Sequence, residues 1–272
     1  MLKRVLAIAN QKGGVGKTTT AINLSAALAL AGKQVLFVDV DPQANGTSGL
    51  GIKKEKMVKT VYDVFMQESI PNNAILETEI KGLHVLPSES DLFGVDVELI
   101  GREGREFILK RSLAEVADAY EYIIIDCPPS LSLLTVNALA AVDSVIVPVQ
   151  CQYYALEGLS QLLKTVDMFV EGLNPQLVVE GFLLTMYERG NALADNVVQE
   201  VREHFREQVF RTTIVRDVTL SEAPGFGKPV TVYDIRSLGA ENYIELAHEL
   251  LEKYETSIGA ADKDIVLEPV GI

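Results

Sequence analysis

The stretch Lys12-Gly13-Gly14-Val15-Gly16-Lys17-Thr18-Thr19 constrains this chain more than any other. The apolar run Val5 to Ala9 precedes it, and a helical pattern from Thr18 to Ala31 follows, so strand, glycine-rich turn and helix come in immediate succession. Glycines at 13, 14 and 16, with Val15 between them, let backbone N–H groups converge on an anion, and the helix N-terminus adds its positive dipole end. In such a loop Lys17 is expected at the β- and γ-phosphates of a nucleotide, the Thr18 hydroxyl on Mg²⁺ and Thr19 at the α-phosphate.

The rest of the chain repeats the alternation. Short apolar runs suited to buried strands occur at Val35 to Val38, Leu83 to Leu86, Tyr122 to Ile125, Val145 to Val149 and Val178 to Leu184. Helical patterns cover Phe107 to Ala119, Leu156 to Val170, Asn196 to Phe205 and Ala240 to Tyr254. Strands alternating with helices predict an α/β fold, a mostly parallel twisted sheet with helices on both faces, of the P-loop NTPase kind. No repeat or Pro/Ser/Gly-rich linker divides the chain, so residues 1–256 read as one domain and 257–272 as a flexible tail.

Carboxylates end two of the expected strands, where side chains face a ligand crevice. Val38-Asp39-Val40-Asp41-Pro42-Gln43 places two within three residues, and Asp39 is expected to support Mg²⁺ or the loop through water. In Tyr122-Ile123-Ile124-Ile125-Asp126-Cys127-Pro128-Pro129-Ser130, four apolar residues lead to Asp126, the form of a Walker B strand that holds Mg²⁺ through a bound water. Cys127 reads as a small buried thiol.

The formal net charge is −14, which repels polyanions on average, so any nucleic-acid contact needs a local basic patch. Two cysteines exclude a disulfide framework, and no stretch approaches the ~20 apolar residues that cross a bilayer. A cytoplasmic protein is expected.

In the usual G-x-x-x-x-G-K-[ST] pattern the first glycine would fall at Gln11, and Lys12 follows it. This string resembles the deviant Walker A loop of the ParA/MinD family of ATPases. The likeness covers roughly residues 4 to 254. It includes the Asp-Pro-Gln and Asp-Cys-Pro-Pro-Ser segments, Pro148 to Leu159, Leu220-Ser221-Glu222-Ala223-Pro224, Gly227-Lys228-Pro229 and Gly239-Ala240, and it is similar to the Soj branch, which partitions chromosomes or plasmids. The resemblance implies ATP and Mg²⁺ as ligands and a homodimer with ATP sandwiched between subunits. Lys12 would reach the partner's phosphates, and Asp41 would position or activate the attacking water. It further implies nonspecific DNA binding by the dimer and a ParB-type partner that stimulates hydrolysis.

The sequence departs from that branch at two stretches. Met186-Tyr187-Glu188-Arg189-Gly190-Asn191 moves an arginine one position earlier, and Ile214-Val215-Arg216-Asp217-Val218-Thr219 carries Asp217 for asparagine and Thr219 for a second arginine. In the family these segments are associated with DNA backbone contacts, and Asp217 takes a position near the adenine. Arg189, Arg216 and Lys228 are the first candidates for DNA contact, with Arg202, Arg206, Arg211 and Arg236 behind them. DNA binding is therefore expected to be weak, dimer-dependent and salt-sensitive. A ParA-like positioner of another cargo is the alternative. A MinD-like membrane protein and an iron–sulfur relative are disfavoured by the acidic tail and the cysteine spacing.

Overall fold

A computed structural model describes residues 3–67, 69–152 and 166–261, the last six by backbone alone. Alternate residues of its central strands feed two separate cores, as the two-residue period of a strand requires. Leu6 and Ile8 of β1 (Arg4–Ile8) point into one core with Val35 and Phe37 of β2 (Val35–Asp39), whereas Ala7, Leu36 and Val38 point into the other. Strands apolar on both sides must be covered on both faces, and they are. α1 (Lys17–Leu30) packs Ala21, Leu24 and Leu28 onto the first core. α2 (Ile108–Ala114), α3 (Leu133–Ala141) and α4 (Ala192–Phe205) pack Leu109, Leu134, Ala138, Val197 and Val201 onto the second. α5 (Leu238–Ala261) returns to the first core through Tyr243, Leu246 and Leu250.

The remaining strands are β3 (Leu76–Glu77), β4 (Leu83–Leu86), β5 (Tyr122–Asp126), β6 (Ser144–Gln150), β7 (Val178–Tyr187) and β8 (Val209–Val215). The sheet runs β3-β4-β2-β5-β1-β6-β7-β8, and every pair is parallel except β3 with β4. This order places the carboxyl ends of β2, β5 and β1 side by side, with Asp126 in register with both Asp39 and Ile8.

The expected α/β architecture is present, with shifts at its boundaries. α4 starts at Ala192 instead of Asn196 because the Asn191 side chain accepts from the N–H groups of Leu193 and Ala194. α2 is shorter than Phe107 to Ala119 and has 3₁₀ turns at either side. α5 runs five residues past the boundary placed at 256, and residues 262–272 of the expected tail lie outside the described residues. Of the helix expected over Leu156 to Val170, residues 153–165 also lie outside them, while 166–172 are helical.

β8 is an edge strand, and side chains close its outer side. The N–H groups of Arg211 and Thr212 donate to the Glu249 carboxylate at 2.7 and 2.9 Å, Arg202 donates to the Arg211 carbonyl at 3.1 Å, and the Val215 N–H donates to Asn242 Oδ1 at 3.1 Å.

The far end of α5 is fastened by a buried carboxylate. Glu180 on β7 accepts from Ser144 Oγ and Tyr254 OH, both at 2.6 Å, and pairs with Lys253 at 2.5 Å. Burial alone would raise its pKa, but the Lys253, Ser144 and Tyr254 bonds together hold it below the ordinary carboxylate value of 4.5. Its stabilisation is therefore complete above that value and is lost as pH falls through the lower folded-state value. Glu180→Gln should lower stability by about 2 kcal/mol at pH 7. In urea titrations that gap should close below about pH 4; a gap of constant size down to pH 3 would contradict the assignment.

Candidate active site

The loop between β1 and α1 keeps its shape through groups outside it. Asn10 donates through Nδ2 to the Pro148 carbonyl at 2.8 Å and accepts the Lys12 N–H at 3.0 Å, and Thr185 Oγ1 donates to the Val15 carbonyl at 2.9 Å. Gly14 and Gly16 lie in the left-handed region, with φ of 73° and 89°, which L side chains adopt only under strain. A Cβ on Gly13 or Gly14 would meet no atom within 4 Å, so the loop forms the open floor of a cavity of about 580 Å³. No side chain caps α1 and no acidic residue sits in its first turn, which leaves that end to an anion.

Lys17 is buried and donates to the Lys12 carbonyl at 2.9 Å. Burial lowers its pKa, against the opposing pull of Asp126, Cys127 and Asp41. Lys12 is half-buried and makes no ion pair among the described residues. Thr18, Thr19 and Asp41 line the same cavity with Pro42, Pro128 and Pro129. Asp41 Oδ1 accepts the Gln43 N–H at 2.9 Å, and the Asp41 carbonyl accepts from Ser88 Oγ at 2.6 Å.

The two carboxylates in register differ in what surrounds them. Asp39 takes the N–H and the hydroxyl of Thr47 on Oδ2, both at 2.7 Å, and the Asp41 N–H on Oδ1 at 3.1 Å. Burial still pushes its pKa up to about 6. These contacts fasten the short helix Asn45–Gly49 beneath the cavity; neither Mg²⁺ nor the phosphate loop, the two partners expected for Asp39, is among them. Asp126 is fully buried, and neither of its oxygens makes a hydrogen bond of ordinary geometry among the described residues, although the Thr18 hydroxyl lies on its side of the loop. Burial, then the Asp39 charge, raise its pKa well above the carboxylate range. A carboxylate with both oxygens unspent, next to a hydroxyl and a phosphate cradle, fits a divalent cation. Cys127 is buried, as the sequence suggested, and burial raises its thiol pKa.

A second cavity of about 440 Å³ opens on the other side of Gly16 and Thr19, lined by Gln150, Met186, Arg216 and Asp217 among others. Met186 has φ of 52° and lies 3.9 Å from where a Gly16 Cβ would be, an uncommon backbone for a long side chain at a wall shared by both cavities. Asp217 is placed at this cavity, but its oxygens accept the N–H groups of Thr219 and Gly239 at 2.9 and 2.8 Å. An amide has one acceptor oxygen where this carboxylate uses two, a physical reason for aspartate there.

The basic candidates divide. Arg216 is ion-paired with Glu188, whose other oxygen accepts from Asn191. Arg202 and Arg211 bond to β8 and α5. Arg189, Arg206, Lys228 and Arg236 are exposed and have no ion pair among the described residues. Sequence reasoning missed Asn10, Thr47, Ser88, Thr185 and Met186. Only Asn10, a polar residue closing an apolar strand beside the loop, left a local signal.

A family model described as an AAA domain matches residues 3–179. The chain is 52% identical over 250 residues to the chromosome partitioning protein ParA of Myxococcus xanthus, covering 92% of this chain and 88% of that one. It is 53% identical over 247 residues to the sporulation initiation inhibitor protein Soj of Bacillus subtilis, covering 91% and 98%. Among solved structures it is similar to a cobyrinic acid a,c-diamide synthase from Mycobacterium smegmatis with bound ATP analog and magnesium, with a TM-score of 0.83, 37% identity, and coverage of 94% and 97%. No helix among the described residues is long and apolar enough to cross a membrane.

Proposed function

The chain belongs to the ParA/Soj branch of the ParA/MinD family of ATPases, and from that membership we propose that it is a partitioning ATPase that binds ATP with Mg²⁺, closes as a homodimer over it and hydrolyses it. One observation carries the reading most: the unspent Asp126 carboxylate beside Thr18, Lys17 and the glycine floor. Mg²⁺ held by Thr18 and, through water, Asp126 would neutralise charge on the phosphates.

Lys17 binds the β- and γ-phosphates, and Asp41, fixed through Gln43 and Ser88, orients the attacking water. Lys12 serves the partner subunit's nucleotide, a cation delivered in trans as the transferring phosphoryl group gains charge. The dimer holds DNA nonspecifically in the cytoplasm, and a ParB-type partner stimulates hydrolysis and releases it.

The test is the oligomeric state by light scattering with ATP and Mg²⁺. Asp41→Ala should hold the dimer for many times the lifetime of the unmodified protein. Lys12→Ala should stay monomeric at every ATP concentration while still binding nucleotide. Lys12→Ala dimers of ordinary lifetime would remove the lysine from its role in trans, and unchanged turnover in Asp41→Ala would remove Asp41 from catalysis.

A further inference from the structure

On a chain of net charge −14 with 24 Lys and Arg in 272 residues, four lysines fall within the seven residues 53–59, against one acid, Glu55. Lys59 is tied to Asp63 at 2.6 Å. Lys53, Lys54 and Lys56 are exposed, and none is in an ion pair among the described residues. They share an ordered 3₁₀ turn, in which the Lys56 N–H donates to the Lys53 carbonyl at 2.9 Å and the Met57 N–H to the Lys54 carbonyl at 3.1 Å.

The fold brings a fourth lysine to this turn. Gly51 and Gly227 meet backbone to backbone: a Cβ on Gly51 would lie 2.7 Å from the Gly227 carbonyl, and one on Gly227 would lie 2.8 Å from the Gly51 Cα. Lys228, exposed, is one residue past that contact and Lys53 two residues past it on the other chain segment, so both basic stretches leave the same backbone meeting point. The turn also follows the helix Asn45–Gly49 directly, with the Ile52 N–H on the Thr47 carbonyl at 3.3 Å, so it hangs on the residue that Asp39 holds. Arg216, by contrast, already has a carboxylate partner that a phosphate would have to displace.

We propose that the turn bearing Lys53, Lys54 and Lys56, together with Lys228, is the main surface on which this protein holds the phosphate backbone of duplex DNA. The proposal rests on the partitioning reading and deepens it. Lysine is a point charge that needs no bidentate geometry, which suits sequence-independent phosphate contact. A lipid surface fits less well, because the apolar companions Val58 and Phe226 are single residues on turns, without the continuous apolar face that interfacial binding uses. The turn is joined through Thr47 to Asp39 behind the phosphate site, and binding is expected in the ATP-bound form.

The test is fluorescence anisotropy of the full chain on a nonspecific duplex, with Mg²⁺ and a non-hydrolysable ATP analogue, over a series of salt concentrations. Changing Lys53, Lys54 and Lys56 together to Gln removes three phosphate contacts per subunit. This should flatten the slope of log affinity on log salt by about 2.7 per engaged subunit and weaken binding about 10²–10³-fold near 0.1 M salt. The matching triple change to Arg should retain binding, and Arg216→Gln should cost less than the lysine triple. Thermal unfolding of the Gln triple should match the unmodified protein, because all three side chains are exposed.

Unchanged affinity and slope in the Gln triple, with the unmodified protein binding well, would overturn the surface and leave the partitioning reading standing. Absence of duplex binding by the unmodified protein would overturn both. If the Gln triple kept duplex binding but lost sedimentation with phosphatidylglycerol vesicles, the turn would serve a membrane and the proposal would be wrong.

Discussion

Asp126→Asn is expected to act in opposite directions on stability and on activity. Asp126 is a fully buried carboxyl group whose burial only the Thr18 hydroxyl and Lys17 offset, and its neighbour in register, Asp39, is acidic too. Asparagine is neutral there without having to take up a proton, so it should stabilise the folded state by on the order of 2 kcal/mol, a rise of about 4 °C in melting temperature for a chain of this size. The pH dependence follows from the sign of the shift. A carboxyl group whose folded-state pKa is raised binds protons better when folded, so the unmodified protein should lose stability as pH climbs from about 4 through the raised value. In Asp126→Asn that slope should shrink to the part owed to Asp39, whose pKa is about 6. Mg²⁺-dependent turnover should meanwhile fall by at least about 10²-fold, because the cation's hold on the phosphates contributes several kcal/mol. Calorimetry of the nucleotide-free protein between pH 5 and 8 and phosphate release with Mg²⁺ measure the two effects. A variant less stable than its parent, or one that keeps its turnover, would contradict this account of Asp126.

Thr47→Val should be the most damaging conservative change near the site. The Thr47 hydroxyl donates to Asp39 Oδ2 at 2.7 Å and accepts the Ser88 N–H at 2.9 Å, and all three residues are buried. Valine preserves the shape but leaves a buried N–H without a partner and a buried carboxylate with one bond fewer. Each loss costs about 1–3 kcal/mol, so a total of about 3 kcal/mol is expected in urea unfolding. Thr47→Ser keeps the hydroxyl and should recover most of it. Loss of the same size in Thr47→Ser would assign the effect to the methyl group instead.

What was legible in the sequence was whatever depends on local pattern. β1, β2, β4 and β5 announce themselves as apolar runs because they are buried on both faces, and the loop announces itself because only glycine suits φ of 73° and 89°. β8 did not: Val-Phe-Arg-Thr-Thr-Ile-Val breaks its apolar run with an exposed Arg211, as an edge strand can. α3, Leu133–Ala141, is apolar nearly all round and lacks the stripe that marks a helix. The helix Asn45–Gly49 reads Asn-Gly-Thr-Ser-Gly, a turn by composition, and its tie to the fold is the Asp39 carboxylate, six residues before it starts.

The candidate site divides in the same way. Lys17, Thr18, Asp41 and Asp126 were read from spacing, and they meet at one cavity or directly below it. Thr185 and Ser88 come from β7 and from the end of β4, and no local pattern points to a contact that exists only once the strands are ordered. Asp217, set near the adenine by the resemblance, lines the second cavity, but its two backbone hydrogen bonds could not be read from a chain of letters.

The outer side of β8 meets Glu249, Arg202 and Asn242, and the opposite edge of the sheet is β3, two residues long. Among the described residues these contacts occupy backbone groups of β8 that a neighbouring strand would otherwise pair with, and β3 is too short to offer a long template. At high local concentration, open sheet margins seed fibrils. Crowding therefore finds less open backbone to act on along β8.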